Sequence, residues 1–390
     1  MLSLPQGFSV YVFQAGVKPG SNRLDVGVLY SEVPASYAGV FTSNRVFAAP
    51  VRLCRERLGH KIQVVTVNSG NANACTGEEG YLAALNIARA GETYFGGVEG
   101  AGLSLSTGVI GVQLPWQKIV AVMEPSDKKA GTAEDFSRAI MTTDAFPKAL
   151  CKELMLDGKK VTLSGFAKGA GMISPNMATM LSFIATDADI EPKLLQKVLG
   201  EVVGDTFNSI TVDGDMSTND SVILLANGKS GVSIKKGDFL AVFKQALFEV
   251  MEHLAKEVVR DGEGATKLIE ISVEGAKDDK EARQVGMAVA NSLLVKTAFF
   301  GNDPNWGRIL AAAGYSGAEI SEEQTQLYFF DTCLFHGSPQ DFDRKALVEK
   351  LKNAKEVPVR IQLNRGKVKK RFFTSDLGHE YVRINAEYTT

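Results

Sequence analysis

Two different periodicities stand side by side in the second half of this chain, and together they restrict its fold more than any other feature. Leu240, Phe243, Leu247, Val250, Met251, Leu254 and Val258 recur at helical spacing behind Asp238, a residue type suited to a helix N-cap. Asp261-Gly-Glu-Gly264 then stops the pattern, since glycine suits the left-handed backbone that ends helices. Directly afterwards Ile269, Ile271 and Val273 alternate with Glu270, Ser272 and Glu274, the period of a half-buried strand. A further amphipathic helix is predicted from Pro192, with Leu194, Leu195, Val198, Leu199, Val202 and Val203 on one side. Near the end Val357, Val359, Ile361 and Leu363 alternate again, and Asn364-Arg-Gly366 reads as the turn of a hairpin. The N-terminal half reads as short strands, among them Ile62 to Val67, which runs into the turn-like Asn68-Ser-Gly-Asn-Ala-Asn73. Helices and strands that are each apolar on one face predict a mixed α/β (α+β) protein, a layered sandwich of β-sheets flanked by helices.

A chain of 390 residues can bury a large core without disulfides or metals to staple it. Its formal net charge of -2 offers no basic excess for nucleic acid or an anionic membrane. No run approaches the roughly 18 apolar residues of a membrane helix, and Met1-Leu-Ser-Leu-Pro-Gln-Gly-Phe8 lacks the pattern of a secretory signal. Cys54, Cys75, Cys151 and Cys333 are scattered without a CxxC pair, which suits a reducing compartment and gives no zinc signature. A cytoplasmic location is the expectation.

The familiar cofactor motifs fail one by one. Gly228-Lys229-Ser230 has the tail of a phosphate loop, but Ile223 stands where its first glycine belongs. Asp213-Gly-Asp215 begins like a calcium loop, yet Thr218 replaces the turn glycine and Leu224 the bidentate glutamate. Gly100-Ala-Gly102 and Gly262-Glu-Gly264 lack the third glycine of a dinucleotide loop. The expectation is chemistry with no metal and no cofactor.

One segment carries chemistry of its own. Lys168-Gly-Ala-Gly-Met-Ile-Ser-Pro-Asn-Met-Ala-Thr179 begins with glycines that can take unusual backbone angles. It runs straight into Met180-Leu-Ser-Phe-Ile-Ala185, which reads as a buried strand. A hydroxyl residue placed there, after the small Ala178, is where an N-terminal nucleophile could be made. Thr179 would attack the Ala178 carbonyl, shift the acyl group to oxygen and be freed by hydrolysis. The new α-amine, with an ordinary pKa of about 7.7–8.0, could then serve the same residue's hydroxyl as general base. The competing reading is a β-branched residue that merely opens a strand.

The segment from Lys168 to Leu181 closely resembles the processing segment of the glutamate N-acetyltransferase (ornithine acetyltransferase) family of arginine biosynthesis. The resemblance covers nearly the whole chain. Ala38-Gly-Val-Phe-Thr-Ser-Asn-Arg45, Asn68-Ser-Gly-Asn-Ala-Asn-Ala74, Ser106-Thr-Gly-Val-Ile-Gly111 and Thr142-Thr-Asp144 look like family signatures in the family's order. So do Ser209-Ile-Thr-Val-Asp-Gly-Asp215, Asp261-Gly-Glu-Gly-Ala-Thr266 and Phe299-Phe-Gly-Asn-Asp-Pro-Asn-Trp-Gly-Arg308.

The resemblance implies a self-cleaving acyltransferase that passes acetyl from N-acetylornithine to glutamate by ping-pong chemistry through an acetyl-threonine ester. It implies cleavage between Ala178 and Thr179, giving fragments 1–178 and 179–390 that build the fold together, two copies of each. Thr179 is then the nucleophile, and Thr107 with Gly108 the oxyanion hole, although Ser106-Thr-Gly108 also reads as a simple turn. Substrate contacts fall on Thr142, Lys168, Thr179, Glu263, Asn385 and Thr390. A lysine ammonium suits an α-carboxylate, and a glutamate suits the ornithine side-chain ammonium. Lys168 reads otherwise as a solvated loop lysine, Glu263 as a helix-end residue, and Asn385 and Thr390 as part of a frayed tail. Asp213-Gly-Asp215 and Asn305-Trp-Gly-Arg308 read as structural support. Leu293 stands where the resemblance leads one to expect proline.

Two rivals remain open at the level of sequence. One is an N-terminal-nucleophile aminopeptidase or amidase, which shares the processing logic; the other is a non-catalytic amino-acid-binding protein that keeps the glycine-rich loop as structure. No motif decides whether acetyl-CoA also serves as donor, which would add N-acetylglutamate synthase activity.

Overall fold

The computed structural model describes residues 2–18, 20, 22–124, 130–174 and 180–387. In chain order the strands of the first half are β1 (Phe8–Phe13), β2 (Val26–Phe41), β3 (Lys61–Asn71), β4 (Gly102–Val109), β5 (Lys148–Leu156) and β6 (Lys159–Lys168). The second half adds β7 (Leu181–Thr186), β8 (Ile210–Thr211), β9 (Ser221–Ala226), β10 (Leu268–Ala276), β11 (Gln326–Phe329), β12 (Thr332–His336), β13 (Glu356–Gln362) and β14 (Val368–Ser375). They form two sheets. The first is eight-stranded, in the order β4-β3-β2-β9-β7-β6-β5 with β1 paired to β2; the second is six-stranded, in the order β12-β11-β13-β10-β14-β8.

Burial explains the two kinds of strand. β7 and β9 lie at the centre of the first sheet, parallel to each other, and every residue of both is buried. Covered on both faces, they are apolar at most positions instead of alternating. β10 and β13 alternate cleanly because one face meets the apolar cluster of Ile269, Ile271, Val357 and Val359 while the other carries half-buried or exposed polar side chains.

The helix Asp238–Arg260 sits between the sheets. Leu247, Val250, Met251 and Leu254 share one cluster with Leu163 and Ile184 of the first sheet and with Leu268 and Phe373 of the second. Its polar side holds the second sheet through ion pairs from Glu252 to Arg371 and from Lys256 to Glu270. The helix Pro192–Gly204 belongs to the same layer, burying Leu195, Val198, Leu199, Val202 and Val203. Outer helices close the far faces: Ala133–Ala139 with Phe136 against the first sheet, and Asp279–Asn291 with Val285 and Val289 against the second. The predicted layered architecture is therefore present, with the middle layer made of helix. Among the described residues no helix is long and apolar enough to cross a membrane.

Several local expectations are corrected. Asn364-Arg-Gly366 does not turn a hairpin: β13 and β14 flank β10 on opposite sides and do not pair with each other. The loop wraps the end of β10, where the Arg365 and Gly366 N–H groups both donate to the Gly275 carbonyl. Gly237, not Asp238, caps the long helix; Asp238 is its first residue, and as an acid there it favours the helix dipole. The helix ends at Asp261 with φ -87°, so its stop needs no left-handed glycine, and Gly264 takes its φ of +72° later in the loop. Asn68 to Asn71 continue β3 rather than turning.

Leu293 is the first residue of the helix Leu293–Phe300, capped by Ser292, and is 62% exposed. Proline fits that position because its fixed φ and missing N–H cost nothing there, and the Ser292 backbone (φ -68°, ψ 112°) already has the extended form that precedes proline. Leu293→Pro should therefore stabilise the fold by about 0.4–1 kcal/mol through the unfolded chain. Urea unfolding checks this: the midpoint should rise, and a fall would show that the site rejects proline.

Candidate active site

The parallel strands β3 and β4 end together, with Ser69 opposite Thr107 and Gly70 opposite Gly108 before the register shifts at Gly70 and Asn71. Gly108 has φ +133°, and a Cβ there would lie 2.3 Å from the Gly70 carbonyl carbon, so no other residue fits. Thr107-Gly108 is thus the irregular end of a strand and not a turn. Asn219 ties this end to the segment before β9, donating to the carbonyls of Ala72 (2.6 Å) and Ser106 (2.8 Å).

Lys168 closes the next wall. It is the last residue of β6 and only 3% exposed, which removes the reading of a solvated loop lysine. Its Nζ donates to Thr142 Oγ1 (2.8 Å) and Thr107 Oγ1 (3.2 Å) and lies 4.0 Å from Asp144 Oδ2. Burial pulls its ammonium pKa below the ordinary lysine value, with Asp144 opposing the shift. Asp144 experiences the reverse balance. Burial pushes its carboxyl up, but Lys168, Lys148 and the Gly169 N–H together outweigh this and bring it down to about 2.

Beyond β6 the chain passes under Glu263. A Cβ on Gly171 would come 2.5 Å from the Glu263 carboxyl carbon, so glycine makes room for that carboxylate. The Glu263 N–H donates to the Ala170 carbonyl (2.9 Å), and Asn385 Nδ2 donates to Glu263 Oε2 (2.8 Å). Asn385 belongs to the ordered helix His379–Glu387, not to a frayed tail. Asp213 clamps the same loop: its carboxylate takes the N–H of Met172 (2.6 Å) and of Ile173 (2.8 Å), and the Tyr381 hydroxyl at 3.3 Å. Met172 is held at φ +57°, left-handed for a residue with a side chain. Asp213 also accepts the Asp215 N–H (3.1 Å). Asn305 caps the helix Trp306–Gly314, and Arg308 ties that helix to the Leu294 carbonyl.

Thr107, Gly108, Thr142, Lys168, Glu263 and Asn385 line one cleft, together with Ala72, Ser217, Thr218 and Asn219. Ala178, Thr179 and Thr390 lie outside the described residues. The residue after Thr179 is described: Met180 is buried, and its N–H donates to Asp220 Oδ1 (3.2 Å). Burial drives the Asp220 carboxyl well above the usual carboxylate range. Among the described residues no cluster of His, Cys, Asp or Glu is placed to hold a metal ion.

Sequence reasoning assigned no role to Asp144, Lys148, Asp261, Asn219 or Asp220. Asp144 and Asp261 sit inside segments that carried the family resemblance, which was the available signal. Lys148 lies outside those segments, and its pairing with Asp261 spans 113 residues of chain.

The family profile described as the ArgJ family matches residues 9–390. The chain is similar to an arginine biosynthesis bifunctional protein ArgJ of Geobacter sulfurreducens, 45% identical over 392 residues, which cover 99% of each chain. It is also similar to the protein of that description from Listeria monocytogenes serotype 4b, 45% identical over 396 residues, covering 100% of this chain and 98% of the relative. Among solved structures, an arginine biosynthesis bifunctional protein argJ from Bacillus halodurans superposes with a TM-score of 0.53 at 43% identity, covering 54% of this chain and 100% of that one.

Proposed function

This chain belongs to the ArgJ family, and from that premise we propose that it is a self-cleaving threonine acyltransferase of arginine biosynthesis, moving acetyl from N-acetylornithine to glutamate. The observation that carries the reading is convergence. Six residues named from sequence, drawn from five separate parts of the chain, line one cleft that holds a buried cation and a half-buried carboxylate.

Processing comes first. Thr179 Oγ attacks the Ala178 carbonyl, the peptide becomes an ester, and water releases residues 1–178 from a free Thr179 α-amine. The Bacillus halodurans chain supports this cut, since it is matched in full by 54% of this chain, the share that 179–390 makes of 390 residues. The fragments stay paired, two of each.

Acetyl transfer follows in two halves. Thr179 Oγ attacks the acetamide carbon while the α-amine takes its proton. The Thr107 hydroxyl and the Gly108 N–H receive the developing oxyanion. The bond to the ornithine nitrogen breaks, that nitrogen takes a proton, and ornithine leaves an acetyl ester. The glutamate α-amine then attacks the ester, and Thr179 is restored. Lys168 holds the α-carboxylate common to both substrates, and Glu263 with Asn385 faces the ornithine side-chain ammonium. Thr142 orients Lys168 through its hydroxyl, and Thr390 completes the substrate contacts.

That these relatives are bifunctional proteins favours a second donor, acetyl-CoA, for the same acetyl-threonine ester. Steady-state assays decide both points. Purified enzyme with acetylornithine and glutamate should form acetylglutamate and ornithine in equal amounts, with little free acetate. Release of acetate without acetylglutamate would make it a hydrolase, and no turnover with a single intact chain would make it a binding protein. Acetylglutamate formed from acetyl-CoA and glutamate alone would establish the second donor.

A further inference from the structure

We propose that Asp144 and Lys148 are positioning residues, forming with Asp261 a buried row of charges that fixes where the Lys168 ammonium points and ties it to the loop carrying Glu263. The inference rests on the functional reading above. Asp144 uses both oxygens: Oδ1 accepts from Lys148 Nζ (2.7 Å) and from the Gly169 N–H (2.7 Å), and Oδ2 accepts from the Thr142 N–H (3.0 Å). Gly169 follows Lys168, and Thr142 carries the hydroxyl that receives the Lys168 ammonium. One carboxylate therefore holds the backbone on both sides of that contact.

Lys148 continues the row. Its Nζ donates to Asp144, to Asp261 Oδ2 (2.5 Å) and to the Phe146 carbonyl (3.3 Å). All three of its donors are thus taken inside the protein, so Lys148 is no substrate ligand. Asp261 also accepts the Ala145 N–H (3.0 Å) and stands two residues before Glu263. The cation and the carboxylate of the cleft are in this way mounted on one frame. Lys168, Asp144, Lys148 and Asp261 carry two charges of each sign. A buried row of this kind is a weak way to stabilise a fold, because desolvation consumes most of the attraction. Its place beneath the cleft gives it a different use.

Among the described residues the ionisable groups facing Lys168 are Asp144, Lys148, Glu263 and Asp220; in processed enzyme the Thr179 α-amine of the proposed mechanism titrates in the same cleft. Asp144 favours the charged form of Lys168 and Lys148 opposes it, so removing each should act in opposite directions. Asp144→Asn should move loss of the Lys168 proton to lower pH, and Lys148→Met should move it to higher pH. A merely structural role would shift both variants the same way or neither.

The test measures KM for acetylornithine against pH in processed enzyme. In Asp144→Asn the alkaline rise of KM should begin at lower pH and reach on the order of tenfold over wild type, the effect of losing one charge-assisted hydrogen bond. In Lys148→Met it should begin at higher pH. Either single change leaves a buried charge without its partner and can cost the fold. The double variant removes one charge of each sign, and its profile should lie closer to wild type than that of Asp144→Asn. Shifts in one common direction, or a double variant displaced as far as Asp144→Asn, would overturn the proposal. Lysine side-chain NMR titration of the same proteins, with the Lys168 signal assigned through Lys168→Met, reads these shifts without any turnover. An inactive wild type would therefore sink the functional reading while the titration still decided this one.

Discussion

Thr179→Ala should leave a single chain of 390 residues with no measurable acetyl transfer. In the proposed mechanism the hydroxyl that opens the Ala178 peptide bond and the hydroxyl that carries acetyl are the same group, so one substitution removes both reactions. Wild-type enzyme should run as two pieces, the second beginning Thr179-Met-Leu-Ser. N-terminal sequencing and intact-mass measurement read the first effect, and acetylglutamate formation the second. Active wild-type enzyme whose only N-terminus is Met1 would sink the processing mechanism. Activity retained in Thr179→Ala would sink the nucleophile.

Thr107→Ala should lower kcat about 10²–10³-fold, the range for one oxyanion donor. Donor accounting sharpens the expectation. A threonine hydroxyl has one proton and can also accept. Thr107 Oγ1 accepts from the Lys168 ammonium, which leaves its own proton for the acetyl oxygen and makes it a better donor. An interaction made only as charge develops lowers kcat and kcat/KM together. The assay must use fully processed protein, so fragment formation is checked before kinetics are read. An unchanged kcat would remove Thr107 from the oxyanion hole. The contact also joins two roles that sequence reasoning kept apart, gripping a carboxylate and stabilising an oxyanion, because Lys168 touches the residue proposed for the second.

What the sequence could reveal followed the range of the interactions. The helices Pro192–Gly204 and Asp238–Arg260 and the strand β10 were legible because burial of one face repeats locally. The hairpin at Asn364 was misread because alternation reports which face is buried and not which strand lies alongside; β10, about 90 residues earlier in the chain, occupies the place between β13 and β14. At the cleft, six residues were found through resemblance and came together. The Lys148–Asp261 ion pair, the Asn219 hydrogen bonds and the Asp220 contact with Met180 were not found, because contacts across dozens to over a hundred residues leave no spacing to read. Lys168 shows the same limit from the other side. Its identity was plain, but its burial follows from the end of β6 meeting β4 and Thr142.

The strand order of the first sheet bears on how long the finished enzyme can last. On the proposed cut, residues 1–178 supply β1 to β6, and the later piece supplies β7 and β9, which lie between β2 and β6. In this sheet the two polypeptides are interleaved like the fingers of clasped hands, and neither owns the whole of it. Separating them and unfolding them are one event. Before the cut a denatured molecule can refold alone; afterwards its halves must find each other, so recovery depends on concentration. Maturation of this kind turns a self-repairing chain into an assembly that dilution after denaturation would not restore, and whose working life is set by the rate of its first unfolding.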